Sequence, residues 1–224
     1  MHGMRRVVYL RFILVILLGL LLSEPQFHLP TLIELTRWES GAVESAKIIR
    51  LQREQGSDLI DGVWWADLEE PIASPKEEPD SKWYWRDIVS HYQNKPAYKS
   101  VALQTDDGQV QAAMVYQIGF KSQVEDGKYS VYIDRLASAP RNRAKLTKQP
   151  IFQGSGTGLL VYAAAQSYFL GQQGRISLVP IANIDWYERR GFVRTDTEIP
   201  DGKIFELPKD RAIELLKKRG LLDE

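Results

Sequence analysis

The chain has 224 residues, with 29 basic and 29 acidic side chains, three histidines and no cysteine. This length fits one ordinary domain with an extension, and the balanced charge gives no general attraction to nucleic acid. Without cysteine there is no disulfide, no thiolate nucleophile and no cysteine-bound zinc, and the histidines lack the spacing of a metal site. We therefore expect a protein that uses no metal and binds no nucleic acid.

Residues 1–28 differ in composition from the rest. Arg5, Arg6 and Arg11 precede or interrupt an apolar run from Phe12 to Leu22. The run is shorter than the roughly 20 residues that span a bilayer, and no small-residue cleavage site follows it. Three interpretations stay open: a marginal signal-anchor, an interfacial helix within residues 5–22, or a start codon placed upstream of the true one.

Residues 29–224 are expected to form one domain. Thr31 to Trp38 alternates in polarity and predicts a strand. Ser40 as an N-cap, with Glu44 near the capping-box position and apolar residues at helical spacing up to Leu51, predicts a helix next. The sequence thus predicts that the domain opens with a strand followed by a helix.

Residues 56–97 break this pattern. The segment is acidic, holds Pro71, Pro75 and Pro79 and four of the six tryptophans, and ends in a predicted helix over residues 82–93. Tryptophan side chains need cover, so the composition favours an insertion or lid over a linker.

Three predicted strands follow, over residues 98–105, 109–120 and 128–138, with turns at Asp106-Asp107-Gly108 and Glu125-Asp126-Gly127. They predict an antiparallel meander. An alanine-rich helix ending at Gly171 comes next, then a strand over 175–179, a short helix over 183–190, a closing strand pair from Phe192 to Leu207 and a terminal amphipathic helix over 210–219. The fold class predicted is α/β (α+β).

The stretch Gln153–Gly158 reads QGSGTG. A Walker A loop needs Lys where Leu159 stands, and the Rossmann spacing needs Gly at that same position. A nucleophile elbow at Ser155 would need Gly at position 153 and a later histidine, and none follows position 91. The glycine loop of S-adenosylmethionine methyltransferases stays as an alternative, although no acid-bearing strand precedes it and little chain follows Gly158.

The spacing Gln-x-x-Gly-x-Gly from Gln153 to Gly158 resembles the phosphate loop of the GNAT superfamily of N-acetyltransferases. Leu136–Arg143 is similar to that family's fourth strand and its exit, and Asp185–Phe192 is similar to its late Tyr-Glu-x-x-Gly-Phe helix. The resemblance runs from about Thr31 to Leu207. It implies a mixed, mostly antiparallel central sheet flanked by helices, with a V-shaped splay between the fourth and fifth strands.

Two features depart from the family pattern. Residues 144–152 are inserted between the fourth strand and the glycine loop. The family's usual asparagine also lies further upstream of the tyrosine than Asn183 lies from Tyr187.

The resemblance implies an acetyl-CoA-dependent N-acetyltransferase, in which a primary amine attacks the thioester directly in a ternary complex without a metal. Tyr187 would be the general acid, since a pKa of about 10 keeps it protonated at neutral pH. Asp134 would be the general base, or would pair with Arg135 or a lysine. The donor-binding residues implied are Leu136, Ala137, Ser138, Gln153, Gly154, Ser155, Gly156, Thr157, Gly158 and Asn183.

The acceptor is a small-molecule or protein amine, and the acidic bias of residues 56–97 favours a cationic one. A non-catalytic, CoA-binding or membrane-associated module is the alternative function. A signal-anchor would send the domain out of the cytoplasm, away from acetyl-CoA. We therefore expect a cytoplasmic enzyme, either soluble or held at the membrane surface by residues 5–22. The sequence predicts no oligomeric state.

Overall fold

A computed structural model describes residues 27–68 and 71–223. The expectations for the apolar N-terminal run concern residues outside these ranges. Where the described chain begins, Phe27 packs against Tyr168, with ring centroids 4.9 Å apart. In the described part of the chain, no helix is long and apolar enough to cross a membrane.

The described residues form one nine-stranded sheet in the order β6-β1-β2-β3-β4-β5-β7-β9-β8. Neighbouring strands are antiparallel except for β5 and β7, which are parallel. This confirms the predicted fold class. The strands are β1 Leu32–Arg37, β2 Val43–Arg50, β3 Tyr98–Gln104, β4 Val110–Lys121, β5 Tyr129–Ser138, β6 Phe152–Gln153, β7 Ile176–Leu178, β8 Val193–Ile199 and β9 Gly202–Leu207.

Helices cover both faces of the sheet. They are α1 Arg53–Gly56, α2 Trp85–Tyr92, α3 Ser155–Phe169, α4 Ile184–Glu188 and α5 Lys209–Lys217, with a π turn at Ser57–Asp61 and 3-10 turns at Pro75–Glu77 and Pro140–Asn142. On one face, α3 is largely buried and packs on apolar residues of β1, β3, β4 and β5. Burying apolar side chains on both faces is the main stabilising contribution to such a layered fold.

The helix predicted after Ser40 is wrong, because this segment is the strand β2. Ser40 Oγ does accept a backbone hydrogen bond, from Ala42 N at 3.2 Å, but within a tight turn. Gly41 supplies the positive φ of 69° that the turn requires. β2 then pairs with β1 on one side and β3 on the other. Pairing on both sides outweighs a short helical spacing of apolar residues.

The opposite face of the sheet is covered by residues of two stretches, 51–68 and 83–92. Trp64 and Trp85 are each 2% exposed, and the Trp64 Nε1–H group donates to Val110 O at 2.9 Å. Asp61 accepts from the amides of Trp85 (2.6 Å) and Arg86 (3.0 Å), which fixes the start of α2. A Cβ on Gly56 would lie 2.9 Å from the Trp85 carbonyl carbon. We call residues 51–68 and 83–92 the covering segment.

The splay expected between the family's fourth and fifth strands lies between β5 and β7, the parallel pair of this sheet. β5 pairs with β7 only from Val131 to Ile133, opposite Ile176 to Leu178. The next residue, Asp134, is an extra residue on β5: its neighbours Ile133 and Arg135 pair with adjacent residues of β4, and Asp134 forms a bulge between them. A bulge bends its strand and increases its twist, so β5 leaves β7 at this point. The V-shaped separation of these two strands is thereby confirmed.

The insert before the glycine stretch adds to the edge of the sheet. Its last residue, Phe152, forms β6 together with Gln153, and β6 pairs with Thr36 and Arg37 of β1. Leu146 is fully buried, and its carbonyl accepts from Ile72 N at 3.0 Å. A two-residue strand has no periodicity of its own, so the sequence did not predict β6.

Candidate functional site

A cavity of about 1010 Å³ opens where the end of β5 leaves β7. The glycine stretch forms one wall, and α4 with the loop before it forms the facing wall. The predicted residues that line it are Leu136, Ala137, Ser138, Gln153, Gly154, Ser155, Gly156, Thr157, Asn183 and Tyr187. Asp134 and Gly158 are the predicted residues that do not line it.

The glycine stretch ends in a helix N-terminus. Gly154 has a φ of 88°, which favours glycine, and α3 begins at the next residue. The first i→i−4 bond of the helix runs from Gly158 N to Gly154 O at 2.7 Å. The amides of Ser155, Gly156 and Thr157 therefore precede the helical bonding pattern. Amides in this position, with the helix dipole behind them, bind anions.

The glycines have different reasons to be small. A Cβ on Gly156 would lie 3.1 Å from Ser138 Oγ, an atom that also accepts from Ser155 Oγ at 3.1 Å. A Cβ on Gly158 would lie 2.5 Å from Ile33 Cγ2. Gly158 therefore lets α3 pack closely on β1, whereas Gly154 and Gly156 shape the cavity wall.

Tyr187 lies on the facing wall. Its ring makes edge contacts with Trp186 and Phe192, at centroid distances of 4.8 and 5.5 Å. Burial raises the pKa of the Tyr187 phenol to about 12, although the Arg190 charge acts in the opposite direction. The phenol is therefore neutral at physiological pH and can donate a proton.

Asn183 sits at the start of α4. Its φ of 56° is in the left-handed region, and its carbonyl accepts from Trp186 N at 2.8 Å. The conformation directs the chain from β7 into α4, so Asn183 shapes the same wall that carries Tyr187.

Asp134 lies away from this cavity, at the bulge. Its Oδ2 accepts from Tyr92 Oη at 2.8 Å and lies 3.3 Å from Arg135 Nη1. Burial, and then the hydrogen bond to the carboxylate, raise the pKa of Tyr92. These contacts connect α2 to β5.

Arg143 was not among the predicted site residues. Its Nε and Nη2 donate to Ser138 O at 3.0 and 2.6 Å, and its Nη1 donates to Glu78 Oε2 at 3.0 Å. A further ion pair joins it to Asp80. Arg143 thus holds the end of β5 and ties the 78–80 segment to the cavity rim. In the sequence it is only one cation in a basic loop, with no spacing that identifies its partners.

Three more arginines were missed: Arg189, Arg190 and Arg219 line the wall that carries Tyr187. Arg190 reaches across to the glycine stretch, where its Nη2 donates to Thr157 Oγ1 at 3.2 Å. The pair Arg189-Arg190 is visible in the sequence, but its orientation depends on how α4 packs.

The described residues contain no group of three or more His, Asp or Glu side chains placed to hold a metal ion. The polar groups of the cavity include amides, hydroxyls, carboxylates, guanidinium groups and the Lys145 ammonium group.

No protein-family model matches the chain, and no curated protein matches it. Solved structures do resemble it. One is a histone acetyltransferase HPA2 and related acetyltransferase from Corynebacterium glutamicum, with 14% identity and a TM-score of 0.45, covering 73% of this chain and 96% of that one. Another is a chimera of the spermidine N-acetyltransferase SpeG from Vibrio cholerae and hSSAT. It has 14% identity and a TM-score of 0.45, covering 75% of this chain and 98% of that one.

A mutant of the AtaT toxin, bound to the C-terminus of the antitoxin AtaR and acetyl-CoA, has 18% identity and a TM-score of 0.49, covering 77% of this chain and 98% of that one. These similarities concern the path of the chain. At TM-scores below 0.5 they carry no weight for what the cavity binds.

Proposed function

We propose that the protein is an acetyl-CoA-dependent N-acetyltransferase that moves the acetyl group to a primary amine. One observation carries the proposal: a single cavity brings together three amides at a helix N-terminus and a neutral tyrosine on the facing wall. The first feature suits a pyrophosphate and the second suits protonation of a leaving thiolate.

The amides of Ser155, Gly156 and Thr157 bind the pyrophosphate of the donor. The end of β5 from Leu136 to Ser138, freed from β7 by the splay, runs beside the pantetheine arm. Because Arg143 already occupies Ser138 O, the pantetheine pairs with the backbone before that carbonyl. Holding the thioester in one orientation lowers the entropic part of the barrier.

In the reaction, the neutral amine nitrogen attacks the thioester carbonyl carbon, and the carbon–sulfur bond breaks as the tetrahedral intermediate collapses. The proton from the amine passes to a base. Tyr187 gives its phenolic proton to the departing sulfur and regains one through solvent. The products are the acetylated amine and free CoA.

We propose Asp134 as the base. It lies at the bulge, directly after the last residue of β5 that pairs with β7, so it sits at the vertex of the splay. Its distance from the cavity implies that the proton reaches it through water. Asp134→Asn should then lower kcat, whereas Tyr92→Phe, which removes only the hydrogen bond to Asp134, should lower it less. Equal losses would assign both residues to holding α2 on β5.

The acceptor is an amine, and a cationic one fits best. Glu34 of β1 lines the cavity, and it forms no ion pair among the described residues, whereas Glu78 and Asp80 are already paired with Arg143. A cationic acceptor would meet the Glu34 carboxylate on its way to the thioester. We place the reaction in the cytoplasm, where acetyl-CoA is available.

A panel of amines, peptides and polyamines incubated with acetyl-CoA tests the proposal, with release of free thiol as the readout. Tyr187→Phe should lower kcat by about 100-fold or more while the Kd for CoA stays unchanged. Acetyl-CoA should also raise the melting temperature, and S-adenosylmethionine should not. Stabilisation by S-adenosylmethionine alone, or a full rate in the Phe variant, would contradict this function.

A further inference from the structure

The wall opposite the glycine stretch carries concentrated positive charge. Arg189 and Arg190 directly follow α4, Arg219 follows α5, and all three line the cavity. Within residues 27–68 and 71–223, none of the three forms an ion pair with a carboxylate. Arg143 and Lys145, the cations on the other side of the cavity, are both paired with Glu78. The free positive charge therefore lies on one wall.

Arg190 is held in a defined position. Its guanidinium lies over the Trp186 ring, 3.6 Å from the centroid, and its Nη1 donates to Trp186 O at 3.0 Å. Its Nη2 donates to Thr157 Oγ1, so the guanidinium lies beside the third of the three amides before the helical bonding pattern. Stacking and two hydrogen bonds fix the orientation of the fork before any ligand binds.

The environment of Arg190 suits an anion. Burial, and then the charge of Arg189, lower the pKa of its guanidinium; Tyr187 acts in the opposite direction, and Arg219 lowers the pKa further. Three like charges close enough to repel one another destabilise the wall, and a bound anion would remove that repulsion. A guanidinium also binds phosphate oxygens in pairs, with charge-assisted hydrogen bonds.

We propose that Arg190 is a side-chain ligand of the donor pyrophosphate, and that Arg189 and Arg219 add attraction for it. This inference rests on the proposed function and narrows its substrate class. The amides of Ser155 to Thr157 hold the pyrophosphate from one side and Arg190 holds it from the other. The site then selects acyl donors that carry the pyrophosphate over acylated pantetheine.

Binding isotherms for CoA, dephospho-CoA and pantetheine test this on the full chain. The variants are Arg190→Gln, Arg190→Lys and the control Arg194→Gln, which removes an exposed arginine of β8 outside the cavity. Arg190→Gln should raise the Kd of CoA and of dephospho-CoA by about tenfold or more and leave pantetheine unchanged. The Kd of CoA for Arg190→Lys should lie between those of Arg190→Gln and the unmodified protein. Arg194→Gln should bind CoA as the unmodified protein does.

The remaining outcomes each have one meaning. A loss for CoA but not for dephospho-CoA would move Arg190 to the 3′-phosphate and overturn the assignment. An equal loss for all three ligands would mean damage to the cavity, and no loss would mean that Arg190 only packs; both overturn it. If the unmodified protein binds none of the three, the proposed function itself fails. Should Arg190→Gln unfold, Arg190→Lys, which keeps the cation and its stem, decides the test.

Discussion

The covering segment and the cavity both combine aromatic and charged side chains, but they treat polar groups differently. In the covering segment the polar groups of Trp64 and Asp61 have protein partners: Trp64 donates to Val110 O, and Asp61 accepts from two amides. In the cavity wall, three amides at the start of α3 precede the helical bonding pattern, and Arg189 and Arg219 form no ion pair among the described residues.

This difference separates structure from function. A buried polar group without a partner costs free energy, so a fold keeps such groups paired unless a ligand uses them. In the covering segment Trp64 and Asp61 are paired, and the segment stabilises the sheet. In the proposed function, the cavity keeps its hydrogen-bond donors available for an anionic acyl donor. Substitutions should therefore affect the two regions in separable ways.

The largest effect is expected in the covering segment. Trp64→Ala removes a fully buried indole and leaves Val110 O without its donor, and should lower the free energy of unfolding by about 3–5 kcal/mol. Chemical denaturation measures this. Tyr84→Ala, which removes a side chain that is 63% exposed, is the control and should change stability by less than about 0.5 kcal/mol. The CoA affinity of the folded fraction should be unaltered in both variants. A selective loss of CoA affinity in Trp64→Ala would mean that the covering segment also supports the cavity.

The next effect distinguishes two glycines two residues apart. Gly158→Ala places a methyl group against Ile33 and should lower stability by about 1–3 kcal/mol. Gly156→Ala places one against Ser138 Oγ, which can shift, so it should cost less stability but weaken CoA binding. Thermal unfolding with and without CoA measures both. If Gly158→Ala weakened binding more than Gly156→Ala did, the division between packing and cavity glycines would be wrong.

The smallest effect concerns pH. The folded pKa of Tyr187 is raised to about 12, above the unperturbed value of about 10. Its contribution to stability is then fully present below pH 10 and is lost as the pH rises towards 12. Relative to Tyr187→Phe, the unmodified protein should lose stability over that window. Because the phenol keeps its proton up to about pH 12, the activity should not decline near pH 10. A decline near pH 10 that is absent in Tyr187→Phe would mean that the phenol is exposed to solvent and keeps its ordinary pKa.

The elements predicted from the sequence were those with local signals. The meander from β3 to β5 was readable because turns with glycine separate alternating strands, and α3 because an alanine-rich run ends at Gly171. β2 was misread because its apolar spacing also fits a helix and only pairing with two neighbours decides. The glycine stretch indicated its own wall of the cavity. On the facing wall, Tyr187 and Asn183 were predicted from the family resemblance, but the three arginines were not.

What could not be predicted depends on contacts across the fold. Nothing in the sequence indicates that Arg190 stacks on Trp186 and reaches Thr157, or that Arg143 binds Ser138 O. The same applies to Asp134, which lies near the cavity residues in sequence but faces α2 across the bulge. A bulge shifts the register by one residue, and a sequence pattern does not record it.

The most direct test of the account is an amide chemical-shift titration of the protein with CoA. If the three amides and Arg190 bind the pyrophosphate, the Ser155, Gly156 and Thr157 amide signals should shift most, in a saturable manner, and the Arg190 Nε signal should shift with them. Saturable shifts confined to the covering segment, or no shift of the three amides at saturating CoA, would contradict it.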